Sequence, residues 1–182
     1  DEPEEGKEFD RWVVVSGDII LEDAESEETT FVMGTSDVEV KATYKTARHW
    51  VGVFTMTGDE TQGKIKLDDR EFGYSEGINY DYGSSVIITA QANPGYRFVK
   101  WNIKYTSEGD FAASNTNNPA TYTIKNDYYF YAEFAPAKYT VTVISGDADV
   151  AEAFSGDVVT ITADEPEEGK EFDRWVVVRG DI

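Results

Sequence analysis

Along most of the chain, apolar and polar positions alternate with a period of two, in short runs rich in Val, Ile, Thr, Tyr and Phe and bounded by Gly, Asn, Asp or Pro. A pleated strand sends successive side chains to opposite faces, so such runs predict half-buried β-strands. Val86-Ile87-Ile88-Thr89-Ala90, the run from Tyr128 to Phe134 and the run from Val158 to Ala163 are the clearest. Asn93-Pro94-Gly95-Tyr96 predicts a type I or II turn, because Pro94 presets φ and Gly95 tolerates a positive φ. The stretch from Leu21 to Glu28 is the one helix candidate, but it has no apolar stripe and reads as an acidic loop or a single turn. The pattern predicts a mainly β chain of two small antiparallel units.

The units come from repeats. Residues 1–19 read DEPEEGKEFDRWVVVSGDI and residues 164–182 read DEPEEGKEFDRWVVVRGDI, differing only at Ser16 versus Arg179. The offset from Asp1 to Asp164 is 163 positions, a true period. A weaker repeat lies inside it. GDVVTITADEPEEGKEFDRWVVV at 156–178 corresponds to GSSVIITAQANPGYRFVKWNIKY at 83–105, and the tail from Thr30 to Tyr44 corresponds to that from Thr121 to Phe134. Tyr139-Thr140-Val141-Thr142-Val143 and Trp50-Val51-Gly52-Val53-Phe54 are the matching first strands. One module, A, is continuous over 46–137. The other, B, is cut: 138–182 is its N-terminal part and 1–45 its C-terminal part, with 1–19 duplicating 164–182. Residues 46–137 and 138–182 with 20–45 together fill the period. The expected parent is an A-B-A-B array.

Composition narrows the partners. There are 36 acidic against 16 basic residues, a formal charge of −20, no cysteine and one histidine. That charge repels phosphate backbones and anionic lipid heads, so neither nucleic acid nor a membrane surface is an expected partner. No apolar run reaches the roughly 20 residues of a membrane span, so no membrane insertion is expected. With 40% apolar and 14% aromatic residues, the chain can still bury a core.

Candidate chemistry is sparse. Without cysteine, His49 would stand alone in any triad, so no catalytic residue is expected and the chain reads as a non-enzyme. Asp147, Asp149 and Asp157 offer oxygen ligands in one short region, but without EF-hand or glycine-aspartate spacing; no metal and no cofactor is expected. Phe-x-x-Trp occurs as Phe9/Trp12, Phe98/Trp101 and Phe172/Trp175. Its rings would serve either as a solvent-facing glycan platform or as core, and recurrence at one position in each unit favours core. Arg179-Gly180-Asp181 spells an integrin tripeptide, where the other copy has Ser16-Gly17-Asp18. A Gly-Asp turn with a variable preceding residue is the simpler reading.

The composite pattern of strand, G-x-x-V-x-I-T-A, Gly turn, F-x-x-W, variable loop and a Tyr/Phe-ended strand preceded by Ala resembles the divergent internalin B-repeat family. It is carried by Gly83, Ala90, Gly95, Phe98, Trp101, Ala132 and Phe134, and by Gly156, Ala163, Gly169, Phe172 and Trp175. The resemblance implies β-grasp-like modules in tandem, displayed outside a bacterial cell in adhesins and stalks. The expected function is a non-catalytic spacer of a cell-surface protein. Residues 57–82 are an insertion in A, with Lys64-Ile65-Lys66-Leu67 expected in an extra hairpin. The alternative function places glycan or host-protein binding there, through Tyr74, Tyr80 and Tyr82.

A stalk module needs its ends at opposite poles. Residues 46 and 137 are therefore expected far apart, and the two parts of B to meet between chains by strand complementation, making neighbouring copies the partners.

Overall fold

The computed structural model describes residues 3–180 and is all β, with no helix among them. It has two compact units, one running to Asn93 and resuming at Phe98–Ala135, the other comprising Pro94–Arg97 and the chain from Pro136 onward.

The first unit opens with β1 (Lys7–Ser16) and β2 (Glu39–Thr46), an isolated antiparallel pair. β3 (Arg48–Thr55), β6 (Ser75–Asp81), β8 (Tyr96–Lys104), β9 (Ala113–Asn115) and β11 (Tyr128–Pro136) form a five-stranded sheet ordered β6-β3-β11-β8-β9. β4 (Gly63–Leu67), β5 (Arg70–Phe72), β7 (Ser85–Ala92) and β10 (Ala120–Thr123) form a four-stranded sheet ordered β10-β7-β4-β5. Alternation does what it predicts. Val51 and Val53, Ile65 and Leu67, Val86 and Ile88, and Phe130 and Ala132 leave solvent completely and join one apolar cluster drawn from both sheets.

The insertion is structural. Its hairpin, β4 with β5, exists as expected, and β4 also pairs with β7 while Ile65 and Leu67 enter the core. β6 then closes an edge of the larger sheet against β3. Residues 21–28 form the expected loop, tied by a Leu21–Phe31 bridge. One pairing breaks the antiparallel expectation: β11 runs parallel to β3, with Tyr128 opposite Val51 and Ala132 opposite Thr55. The chain thus enters the module at one end of this strand pair and leaves at the other. From Arg48 to Ala135 the register spans about ten residues, roughly 33 Å of strand at ~3.3 Å each.

The second unit has only short ladders. β12 (Lys138–Thr140) pairs with β14 (Glu152–Phe154), and β13 (Gly146–Ala148) with β15 (Ile161–Ala163). From Lys138 to Gly180 no described residue is buried, and residues 164–180 belong to no strand.

Candidate functional site

The three Phe-x-x-Trp copies share one local geometry. The ring centroids are 5.9 Å apart in Phe9/Trp12, 5.3 Å in Phe98/Trp101 and 5.6 Å in Phe172/Trp175, all tilted. What differs is the covering strand. Phe98 meets Phe134 of β11 edge-on at 6.2 Å, and Trp101 is fully buried. Phe9 meets Tyr44 of β2 edge-on at 6.4 Å, and Phe9 and Trp12 are half-buried. Among the described residues Phe172 and Trp175 have no counterpart of β2 or β11 across them; the Trp175 ring reaches Gly146 of β13, and the two remain 52% and 41% exposed. The expected core role therefore fails for this third pair, because a two-ring cluster needs a strand across it to exclude water. Val176, Val177 and Val178 are exposed as well.

A glycine turn precedes each Phe-x-x-Trp segment, and in the first two it accepts a hydrogen bond from a distant alanine amide. The Ala47 amide donates to the Gly6 carbonyl at 2.9 Å, and the Ala137 amide donates to the Gly95 carbonyl at 2.8 Å. Gly6 and Gly95 both have a positive φ, 78° and 86°, where a side chain would be strained. The match equates Ala47 with Ala137, hence Arg48 with Lys138 and Val51/Val53 with Val141/Val143. That shifts the expected first-strand correspondence by one residue. It also puts β2 in the place of β11, and the next residue against each turn in equivalent places: Tyr82 against Gly6 and Ser155 against Gly95. The third turn, at Gly169, has nothing near it.

Around Gly6 the contacts are electrostatic. The Tyr82 hydroxyl donates to Glu5, and Lys125 Nζ lies 3.6 Å from the same carboxylate and 5.9 Å above the Tyr82 ring. The Tyr82 hydrogen bond, and after it the Lys125 charge, hold the Glu5 carboxyl below its ordinary value of 4.5; the same bond raises the Tyr82 phenol. A depressed carboxyl contributes stability above its unfolded-state pKa, lost as pH falls through the folded value. Carbon-13 titration should place the Glu5 midpoint below 4.5, and Tyr82→Phe should move it back up.

The insertion tyrosines are not one surface group. Tyr74 is exposed, but Tyr80 packs on the core and donates to Asp68 Oδ2 at 2.7 Å, while Tyr82 is committed to Glu5. Burial, then the Asp68 bond, push the Tyr80 phenol well up. Of the integrin-like tripeptide, Arg179 and Gly180 lie in a bend and Asp181 falls outside the described residues. Gly180 and its counterpart Gly17 share a positive φ, 108° and 104°. Among the described residues no three His, Asp or Glu side chains gather to hold a metal. Asp149 Oδ1 accepts the Thr160 amide at 3.0 Å, tying two segments eleven residues apart, and Asp157 Oδ2 accepts the Phe154 amide at 2.9 Å across a turn. His49 Nδ1 sits 3.5 Å from Asp127 Oδ1, which also accepts the Trp50 amide at 2.8 Å.

Sequence reasoning missed Glu5 and Lys125 as partners of Tyr82, since nothing in their spacing brings residues 77 positions apart together. It also missed Asn118. Its side chain accepts from the Ala90 amide at 2.8 Å and donates to the Ala90 carbonyl at 2.7 Å, extending the β10–β7 ladder by one rung beyond Ala120 opposite Ile88.

The family model described as divergent InlB B-repeat domain matches residues 2–48, 55–138 and 139–182. No curated protein and no solved structure matches the chain.

Proposed function

Because the chain belongs to the divergent InlB B-repeat family, we propose that it is a non-catalytic spacer in the stalk of an adhesin-type bacterial cell-surface protein. Its modules are 46–137 and, in parts, 138–182 and 1–45. Its partners are neighbouring copies, associated head to tail. The observation behind this reading is the parallel pairing of β3 with β11. When the first and last strands of a module run parallel, the chain enters at one pole and leaves at the other, and each added module adds length. Antiparallel end strands would fold the array back on itself. The same local hydrogen bond, alanine amide to turn glycine carbonyl, precedes the first strand at Ala47 and again at Ala137. The charge of −20 per chain keeps an array soluble and self-repelling.

Small-angle scattering on covalent arrays of one, two and three periods tests it. The maximum dimension should grow by a constant step per period. A dimension growing much more slowly than the number of periods would overturn the spacer reading.

A further inference from the structure

We propose that residues 170–179 form an intermolecular docking edge whose occupant is β2, Glu39–Thr46, of a second copy of this chain. The inference rests on the head-to-tail reading and names its strands and register.

The chain itself shows what covers this edge. Residues 170–178 repeat Lys7 to Val15 of β1 without a change, and β1 pairs with β2 from Lys7 opposite Thr46 to Ser16 opposite Glu39. A strand complementary to one copy is complementary to the other. Carried over, the register sets Arg174 opposite Thr43, Trp175 opposite Ala42, Val176 opposite Lys41 and Val177 opposite Val40. The ion pairs carry over too. Lys45 Nζ lies 3.6 Å from Glu8 and 3.9 Å from Asp10, whose counterparts are Glu171 and Asp173.

Exchange of one identical strand for another gains nothing by itself, so the second edge of β2 decides. In the complete module β11 is paired on both sides, with β8 on one and, in parallel, with β3 on the other. Among the described residues β2, its counterpart, pairs only with β1. Residues 138–180 hold counterparts of both flanking strands, 170–179 for β8 and 138–143 for β3, and bury no side chain. Seated between them, β2 gains a parallel ladder that β1 cannot offer, with Val141 opposite Val38 and Val143 opposite Val40. Phe172 and Trp175 come under Tyr44 and Ala42, as Phe9 and Trp12 already are.

The resident β1 competes from within the same chain, tethered through residues 17–38 at an effective concentration of order millimolar. Association is therefore concentration-dependent. It is also heterologous, each copy offering an edge at one place and a strand at another, so it propagates as an open chain. Like charge opposes it, and added salt strengthens it.

One substitution made in the two copies of the strand separates the possibilities. Proline removes a ladder donor. In sedimentation velocity on the full 182-residue chain, the native protein should associate with rising concentration. Val177→Pro should abolish this, and Val14→Pro, which releases β2 from its resident partner, should tighten it about tenfold or more. The register is read separately: mild oxidation of the Lys41→Cys/Val176→Cys double variant, otherwise free of cysteine, should give disulfide-linked oligomers. A native chain monomeric at all concentrations, association indifferent to Val177→Pro, or a disulfide formed within one chain would overturn the proposal. None of these results would alter how a covalent array lengthens, so the spacer reading stands or falls on its own experiment.

Discussion

Trp101→Ala should unfold the continuous module, at a cost of about 3–5 kcal/mol, most of the stability of a domain this size. Trp101 is fully buried, with Phe98 tilted against it at 5.3 Å and Phe130 edge-on at 6.4 Å. Removing the indole leaves a cavity that two sheets cannot close. The same truncation in the other copies calibrates the effect. Trp12 is half-buried beneath a two-stranded sheet, so Trp12→Ala should cost clearly less and be confined to the β1–β2 pair. Trp175 is 41% exposed, its ring reaching Gly146 of β13 but lying under no counterpart of β2 or β11 among the described residues, so Trp175→Ala should cost the least of the three. Urea denaturation of the three variants, followed by circular dichroism, makes the comparison; equal losses at Trp101 and Trp175 would contradict the exposures. Trp101→Phe should recover most of the loss, because the buried indole N–H has no hydrogen-bond partner among the described residues.

Asn118→Ala should be the next most damaging of these changes. Both groups of the Asn118 amide bond the backbone of Ala90, a nearly buried residue in the middle of β7. Continued at the β10–β7 register, position 118 falls opposite Ala90, and there the Asn118 side chain rather than the main chain supplies the rung. Its loss strips an N–H and a C=O of their partners at once, and an unsatisfied buried group costs about 1–3 kcal/mol. Hydrogen exchange should show the Ala90 amide losing protection well before its β7 neighbours Ile88 and Thr89. An unchanged Ala90 protection factor would mean that the ladder carries on without the side chain.

These two residues mark the limits of pattern reading. Trp101 was legible, because Phe-x-x-Trp recurs at one position in each unit and large rings anchor small cores. Asn118 was not, because Asn-Pro in a loop is ordinary turn chemistry and nothing local points 28 residues back to Ala90. The insertion was legible as a hairpin from Lys64-Ile65-Lys66-Leu67, but not its merger with β7, since the periodicity of a strand leaves its neighbours unnamed. The parallel β3–β11 pair was hidden for the same reason. A parallel connection passes through everything between its strands, here β4 to β10, and leaves no turn signature. Among the tyrosines of the insertion, composition made a group of Tyr74, Tyr80 and Tyr82. The fold separated them, giving the hydroxyls of Tyr80 and Tyr82 to Asp68 and Glu5.

The duplicated segment makes the division plain. Strand character, the turn glycines, the spacing of Phe and Trp and the recurrence of residues 1–19 at 164–182 all follow from local order, and sequence alone establishes them. Residues 7–15 and 170–178 are identical, and their Phe and Trp rings adopt the same tilt, yet one segment is a paired strand and the other is not. A helix satisfies its backbone within itself, whereas a strand needs amides and carbonyls from elsewhere in the chain or from another chain. Local sequence determines that a segment can be a strand; the presence of β2 beside it determines that it is one.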